Sequence, residues 1–209
     1  MSAKAPDAGG ATEPAAAKRT LRRSARAVRA SAAAADTAAG QRAAAALCAQ
    51  FLSAFAPGPG TVVSGYWPMA DEIDPRPLLQ ALGEAGCRLT LPALAGKGRP
   101  LEFRVWAPGD TLLPAALGTQ EPLPEKPVFE PQVLLVPLLA FDGEGYRLGY
   151  GGGFYDRSLA LLRGRSDILA VGVAYAAQQV AAVPHDGNDQ RLDAVVTEAA
   201  VLRFGPPSP

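Results

Sequence analysis

VLLVPLLAFDGEGYRLGYGGGFYDR, residues 133–157, strings together an apolar run, a polar turn, a glycine-rich loop and the opening of a helix. VLLVPLLAF (133–141) has no alternation, which predicts one strand covered on both faces. Pro137 then either interrupts the hydrogen-bond ladder or forces a bulge. DGEGY (142–146) reads as a turn, and four of the five positions 149–153 are glycine. Glycine gives up about 0.5 to 1 kcal/mol of backbone entropy at each position, and the return is a run of N–H groups that can turn toward one anion. A helix is predicted over about 156–163. In open α/β sheets, ligands sit at the carboxyl ends of strands, where a helix N-terminus offers free N–H groups and a positive dipole end. The loop therefore reads as a phosphate site. The pattern matches neither GxGxxG nor GxxxxGK[ST], so a flexible hairpin loop is the alternative for the glycines alone. Flanking Arg147 and the Tyr155-Asp156-Arg157 run favour the phosphate reading, since they add cations and a carboxylate able to hold Mg²⁺.

Outward from this segment, short apolar runs alternate with helical patterns. TVVSGYW (61–67) reads as a strand, PRPLLQALGEAG (75–86) as a helix with proline in its first turn, and CRLTLP (87–92) as the next strand. That β-α-β order implies parallel pairing. LEFRVW (101–106), ILAVGVAY (168–175) and a last short strand near AVVT (194–197) extend the sheet, while the proline-rich connection up to Pro131 has no assignable pattern. The predicted fold is a three-layer α/β/α domain with a mostly parallel, open central sheet.

Ahead of the sheet, Arg22, Arg26 and Arg29 recur at spacings of four and three, with Leu21, Ala25 and Val28 beside them, which predicts a basic amphipathic helix over 18–29. A second helix is predicted over 36–55, with Leu47, Phe51 and Phe55 as its core stripe. Residues 1–16, rich in Ala, Pro and Gly without period, are expected to form a disordered tail, 17–203 the single domain, and 204–209 a flexible end.

Composition narrows the function. With Lys plus Arg and Asp plus Glu at 20 each, only local basic patches can attract anions, which argues against a nucleic-acid or membrane-surface binder. No apolar run is long enough to span a bilayer. Cys48 and Cys87 are too few and too far apart for a disulfide framework or a CxxC metal site and read as reduced thiols. These features predict a soluble, cytoplasmic protein; a monomer is expected, although none of them fixes the oligomeric state. AAAKRTLRRSARAVRASAAAA has the acid-poor composition of an organelle transit peptide, but it serves equally as a working helix.

Taken together, AKRTLRRSARAVR, ADEIDPRPLL, RLGYGGGFYDR and VPHDGNDQRLDAVVTE, in that order across about residues 17–198, resemble the 5-formyltetrahydrofolate cyclo-ligases, or methenyltetrahydrofolate synthetases. The resemblance implies ATP-dependent closure of 5-formyltetrahydrofolate to 5,10-methenyltetrahydrofolate, with release of ADP and phosphate. It implies that Lys18 and Arg22 bind ATP phosphates and that Arg147 acts with the loop Gly149, Tyr150, Gly151, Gly152 and Gly153 around the transferring phosphate. It also implies that Asp156 and Asp189 hold Mg²⁺, that Glu72 contacts folate with Trp67 nearby, and that Phe154 and Tyr155 line the same pocket. Of these, Arg147, Tyr155 and Glu72 are the candidate catalytic residues, and Trp67, Glu72, Tyr150 and Phe154 the candidate folate contacts. Singly, each has a plainer reading: Glu72 as a helix N-terminal charge, Lys18 and Arg22 as a solvated face, Asp189 as a turn residue. Two positions depart from the family pattern: Gly152 stands where many members carry lysine, and Tyr150 where some carry arginine. His185 reads as a surface-turn residue. The alternatives are a non-catalytic folate- or nucleotide-binding relative, and a sugar-phosphate isomerase on a similar scaffold.

Overall fold

The computed structural model describes residues 13–38, 41–69 and 71–205. Seven strands form one sheet in the order β11-β10-β9-β6-β1-β2-β3, with β1 Val62–Ser64, β2 Arg88–Leu94, β3 Leu101–Val105, β6 Val133–Pro137, β9 Leu169–Val173, β10 Ala194–Val196 and β11 Val201–Arg203. The five inner strands pair in parallel, and the edges β3 and β11 run antiparallel to their neighbours. Two hairpins stand apart from the sheet: β4 Leu112–Pro114 with β5 Gln120–Pro122, and β7 Ala140–Phe141 with β8 Arg147–Leu148. The first fills the proline-rich stretch that has no pattern in the sequence.

The three layers follow from strand alternation. Val133 and Leu135 face one way, with Val171, Val173, Ala194 and Val196, and meet Leu47 and Phe51 of α2 (Ala43–Ala54) and Leu78, Leu79 and Leu82 of α3 (Arg76–Glu84). Leu134 and Val136 face the other way, with Ala170 and Val195, against Leu159 and Leu162 of α4 (Phe154–Arg163). With both faces buried, each central strand reads as an unbroken apolar run, and each large side chain so covered contributes about 1.5 to 3 kcal/mol.

Several boundaries differ from expectation. The apolar run 133–141 is not one strand. β6 stops at Pro137, which has no N–H to continue the ladder, and Gln178 Nε2 donates to the carbonyls of Leu138 (2.9 Å) and Leu139 (3.1 Å) just beyond it. The chain then peels away into the β7–β8 hairpin. The second helix does not begin at Asp36. α1 spans Glu13–Ala38, and α2 starts at Ala43, whose N–H donates to the Asp36 carboxylate at 2.9 Å. Asp36, in the last turn of α1, thus satisfies the first N–H of α2. Helix α1 also starts inside the stretch expected to be a disordered tail; residues 1–12, and 206–209 at the other end, lie outside the described residues. Phe204 is not a flexible end residue, since it packs against the α4 side of the core and its N–H bonds to Asp193 O at 2.9 Å.

Candidate active site

Strand β1 sits where the connections change direction: the chain leaves it toward β2 on one side, and returns at β6 on the other before moving on to β9 and β10. At such a switch point the loops beyond the carboxyl ends of the two strands part and leave a crevice. After β1 comes the segment with Trp67, Asp71 and Glu72; after β6 come the β7–β8 hairpin and the glycine loop. Helix α1 lies across the second of these, with Ala25 packed among Leu139, Ala140, Leu148 and Val183.

Three cations of α1 reach into this region from one face. Lys18 Nζ lies 2.6 Å from Asp189 Oδ2, and Arg22 Nε donates to Gly149 O at 2.9 Å. Arg29, buried, lies 2.5 Å from Asp71 Oδ1 and 3.4 Å from Glu72 Oε1 and also bonds the Tyr150 hydroxyl. The faces expected of this helix need correcting: Arg26 is exposed rather than grouped with Arg22 and Arg29, and Val28 is exposed rather than part of the apolar stripe. The stripe that turns inward is 18, 21, 22, 25 and 29, a spacing of three, one, three and four.

The glycine loop is shaped as its composition demands. Gly151 has φ +102° and Gly153, immediately before α4, has φ +64°, in the region where a side chain is strained. Arg22 covers Gly151 closely: a Cβ there would lie 3.4 Å from the guanidinium carbon. Arg147 on β8 is buried, with Nη2 2.7 Å from Asp156 Oδ1 in the first turn of α4 and Nη1 donating to Gln190 O. The Gln190 N–H also donates to Asp156 Oδ1, at 3.0 Å. Gly152, where a family lysine is expected, abuts the Phe154 ring, which a Cβ would meet at 2.7 Å.

Across the crevice, Glu72 is buried and largely satisfied. Its Oε2 accepts from the Met69 N–H at 2.8 Å, and its Oε1 accepts from the Tyr150 hydroxyl and from Arg29. Burial raises the Glu72 carboxyl above the usual range, against the pull of the Met69 N–H, the Tyr150 hydroxyl and the Arg29 charge. Burial and the Glu72 charge push both Tyr150 and Tyr155 upward, so each phenol keeps its proton at neutral pH, and Tyr150 donates its own to Glu72. Burial lowers Arg147 despite Asp156 and Asp189, yet an arginine remains charged. Trp67 meets Trp106 edge-on at 6.2 Å between centroids, with the Arg76 guanidinium 5.1 Å from the Trp67 ring centre. His185 is exposed, in line with the sequence reading, and lies flat on Tyr146 with centroids 3.5 Å apart.

The arrangement has two ends. One gathers Lys18, Arg22, Arg147, the glycines, Asp156 and Asp189; the other gathers Arg29, Asp71, Glu72 and Tyr150. Tyr150 joins them, since it belongs to the loop and bonds Glu72. A separate cavity of about 220 Å³ lies between Leu94, Arg104, Glu121 and the β4–β5 hairpin, but its polar groups are turned to the protein itself, Arg104 to Glu102 and Glu121 to the Leu94 N–H. Among the described residues its one buried polar side-chain atom without a partner is Arg104 Nε.

Comparison with known proteins places this geometry. A family model described as the 5-formyltetrahydrofolate cyclo-ligase family matches residues 14–198, from the start of α1 to just beyond β10. The chain belongs to this family. A 5-formyltetrahydrofolate cyclo-ligase of Mycolicibacterium smegmatis is 40% identical over 120 residues, 54% of this chain and 61% of that protein, so the match spans less than two thirds of that relative. One from Escherichia coli is 38% identical over 141 residues, 64% of this chain and 75% of that protein. The solved 5,10-methenyltetrahydrofolate synthetase of Aquifex aeolicus superposes with a TM-score of 0.71 at 28% identity, over 92% of this chain and 95% of that one. That of Mycoplasma pneumoniae, at 22% identity and a TM-score of 0.67 over 87% and 98%, shares the fold.

Within the family frame, the expected cyclo-ligase residues Lys18, Arg22, Arg147, Gly149–Gly153, Asp156 and Asp189 lie along one side of the crevice, and Glu72 and Tyr150 meet directly. Phe154 opens α4 beneath the Arg157 guanidinium, 5.1 Å away, and Trp67 is held by Trp106 and Arg76 rather than by the loop residues. Two residues of the site were not foreseen, Asp71 and its partner Arg29. The signal for Arg29 was present, seven positions after Arg22 and hence on the same face, but that spacing could not distinguish it from a solvated arginine.

Proposed function

We propose that this chain closes 5-formyltetrahydrofolate to 5,10-methenyltetrahydrofolate at the expense of ATP. The observation that carries the reading is the meeting, at the β1–β6 switch point, of a cation-lined glycine loop with a buried carboxylate from the opposite loop. The formyl oxygen attacks the γ-phosphorus, ADP leaves, and N10 then attacks the formyl carbon as phosphate departs with that oxygen and N10 loses its proton. Such chemistry asks the protein for positioning and charge neutralisation more than for bond-making groups.

Lys18, Arg22 and Arg147 are placed to receive phosphate oxygens in exchange for their present partners Asp189, Gly149 O and Asp156. The glycine-loop amides and the first turn of α4 add neutral donors there. The protonated Tyr155 donates a hydrogen bond near the reacting oxygens, and Glu72 accepts from the amino-pyrimidine edge of the folate, with Trp67, Tyr150 and Phe154 as its walls. The donor set also suits Mg²⁺. Asp156 and Asp189 each keep one carboxylate oxygen without a hydrogen-bond partner among the described residues, and two such oxygens completed by water and phosphate make an ordinary magnesium shell. When bound, the ion neutralises polyphosphate charge.

No helix among the described residues is long and apolar enough to cross a membrane, and Cys48 and Cys87 are free thiols. Both support cytoplasmic action, and we take the working unit to be the monomer. The test is formation of the methenyl chromophore in the near ultraviolet from 5-formyltetrahydrofolate and Mg-ATP, with controls lacking ATP and with Asp156→Ala. ATP-dependent product absent from the variant supports the reading. Folate and ATP binding without product would leave a binding relative.

A further inference from the structure

We infer that Arg29 is a positioning residue for the folate end of the site: from the middle of α1 its guanidinium holds the Glu72 carboxylate and the Tyr150 hydroxyl in one fixed arrangement. This rests on the reading proposed above. Four observations lead to it. Arg29 is one of the few charged residues in the interior, with its side chain only 5% exposed. It spends its donors on Asp71 Oδ1, Glu72 Oε1 and the Tyr150 hydroxyl, three groups on two different loops. Its Nε is buried without a partner among the described residues, a cost that packing for stability alone would avoid. And the Tyr150 hydroxyl, bonded to both Arg29 and Glu72, ties the glycine loop to the Glu72 segment.

The chemical consequence concerns charge. Glu72 faces Arg29 from α1, Tyr150 from the glycine loop, Tyr155 from α4, Tyr66 beyond β1, and Asp71 on its own segment. Arg29 is the only cation among these. An ionised Glu72 accepts hydrogen bonds from the amino-pyrimidine edge, and a protonated one accepts fewer. Burial favours the protonated form, and Arg29 opposes it. Arg29 therefore governs folate recognition without contacting the transferred phosphate.

The experiment compares the full chain with Arg29→Met, Arg29→Lys, Glu72→Gln and the double variant Arg29→Met/Glu72→Gln. KM and kcat are measured for 5-formyltetrahydrofolate and for ATP between pH 6 and 9, and folding is checked by thermal melting. Wild-type turnover tests the functional reading by itself: without it, that reading fails whatever the variants do. Given turnover, Arg29→Met is expected to raise the folate KM at neutral pH by about 10-fold or more while the ATP KM moves less than about 3-fold. The acid limb of kcat/KM for folate should move up by about one pH unit or more, so that activity recovers on alkalinisation, and Arg29→Lys should restore part of it. In the Glu72→Gln background, removing Arg29 should raise the folate KM several-fold less than it does in wild type, because only its hold on Tyr150 and Asp71 is left to lose. If Arg29→Met does not fold, the double variant, which buries no unpaired carboxylate, and Arg29→Lys still decide. A folded Arg29→Met with the folate KM and acid limb of wild type overturns the inference, as does an undiminished Arg29 effect in the Glu72→Gln background.

Discussion

The two ends of the crevice use charge in opposite ways. At the glycine-loop end, proposed to take phosphate, the carboxylates stay accessible: Asp156 is 27% exposed beside Arg147, and Asp189 is 19% exposed beside Lys18, which also reaches Asp186 at 3.4 Å. At the other end, proposed to take folate, Glu72 is 4% and Arg29 5% exposed, and four polar groups share one another's hydrogen bonds. Pairs with an accessible carboxylate suit the proposed uptake and release of a polyphosphate, since a phosphate oxygen can take the carboxylate's place on the cation. A closed network suits recognition of one rigid ring, because a buried group left unpaired by the wrong ligand is costly.

The largest effect falls on Asp156→Ala, expected to lower kcat by about 10² to 10³-fold by removing a carboxylate of the glycine-loop end and freeing Arg147. Unchanged turnover in a steady-state assay would break the comparison. Glu72→Gln comes next: the folate KM should rise by about 10 to 100-fold with the ATP KM nearly constant, measured with each substrate varied in turn. Tyr150→Phe is expected to cost about 10-fold and to be felt through both substrates, since its hydroxyl joins the two ends. Gly152→Lys tests whether the missing family lysine can simply be restored. The Phe154 ring stands in the way, so the variant should be destabilised by about 1 kcal/mol in denaturant titration, with no gain in activity.

The smallest effect is on stability with pH. The native Glu72 carboxyl titrates above its unfolded value, so between the two values the folded state holds more protons, and stability from this group falls as pH rises through that window. The direction follows from the sign of the proton difference. Glu72→Gln should flatten that slope, seen in melting temperatures between pH 4 and 7, with the range taken as roughly that of carboxylates shifted upward.

Much of the fold can be read from local pattern. Apolar runs at 133–136, 169–173 and 194–196 specify strands covered on both faces, and the alternation with helices specifies parallel pairing, because each run has only one way to hide. The pattern could not show where a run stops being a strand. Nothing in VLLVPLLAF says that Gln178, some forty positions away, takes the carbonyls beyond Pro137 and lets the chain leave the sheet. The antiparallel edge β11 and the β4–β5 hairpin, three residues a strand, are too short to carry a period.

By itself, then, the sequence determined the layered core and the tight glycine loop, since burial period and glycine conformation are properties of neighbours along the chain. It also marked Lys18, Arg22, Asp156 and Glu72 through the order of their motifs. Only the tertiary structure decided which charges meet. Arg29 reaches Glu72 across 43 residues, and Tyr150 reaches it across 78, by way of the switch point at β1 and β6. The same spacing along α1 that leaves Arg26 in solvent puts Arg29 in the interior, because helix position relative to the sheet, and not composition, fixes which arginine is desolvated.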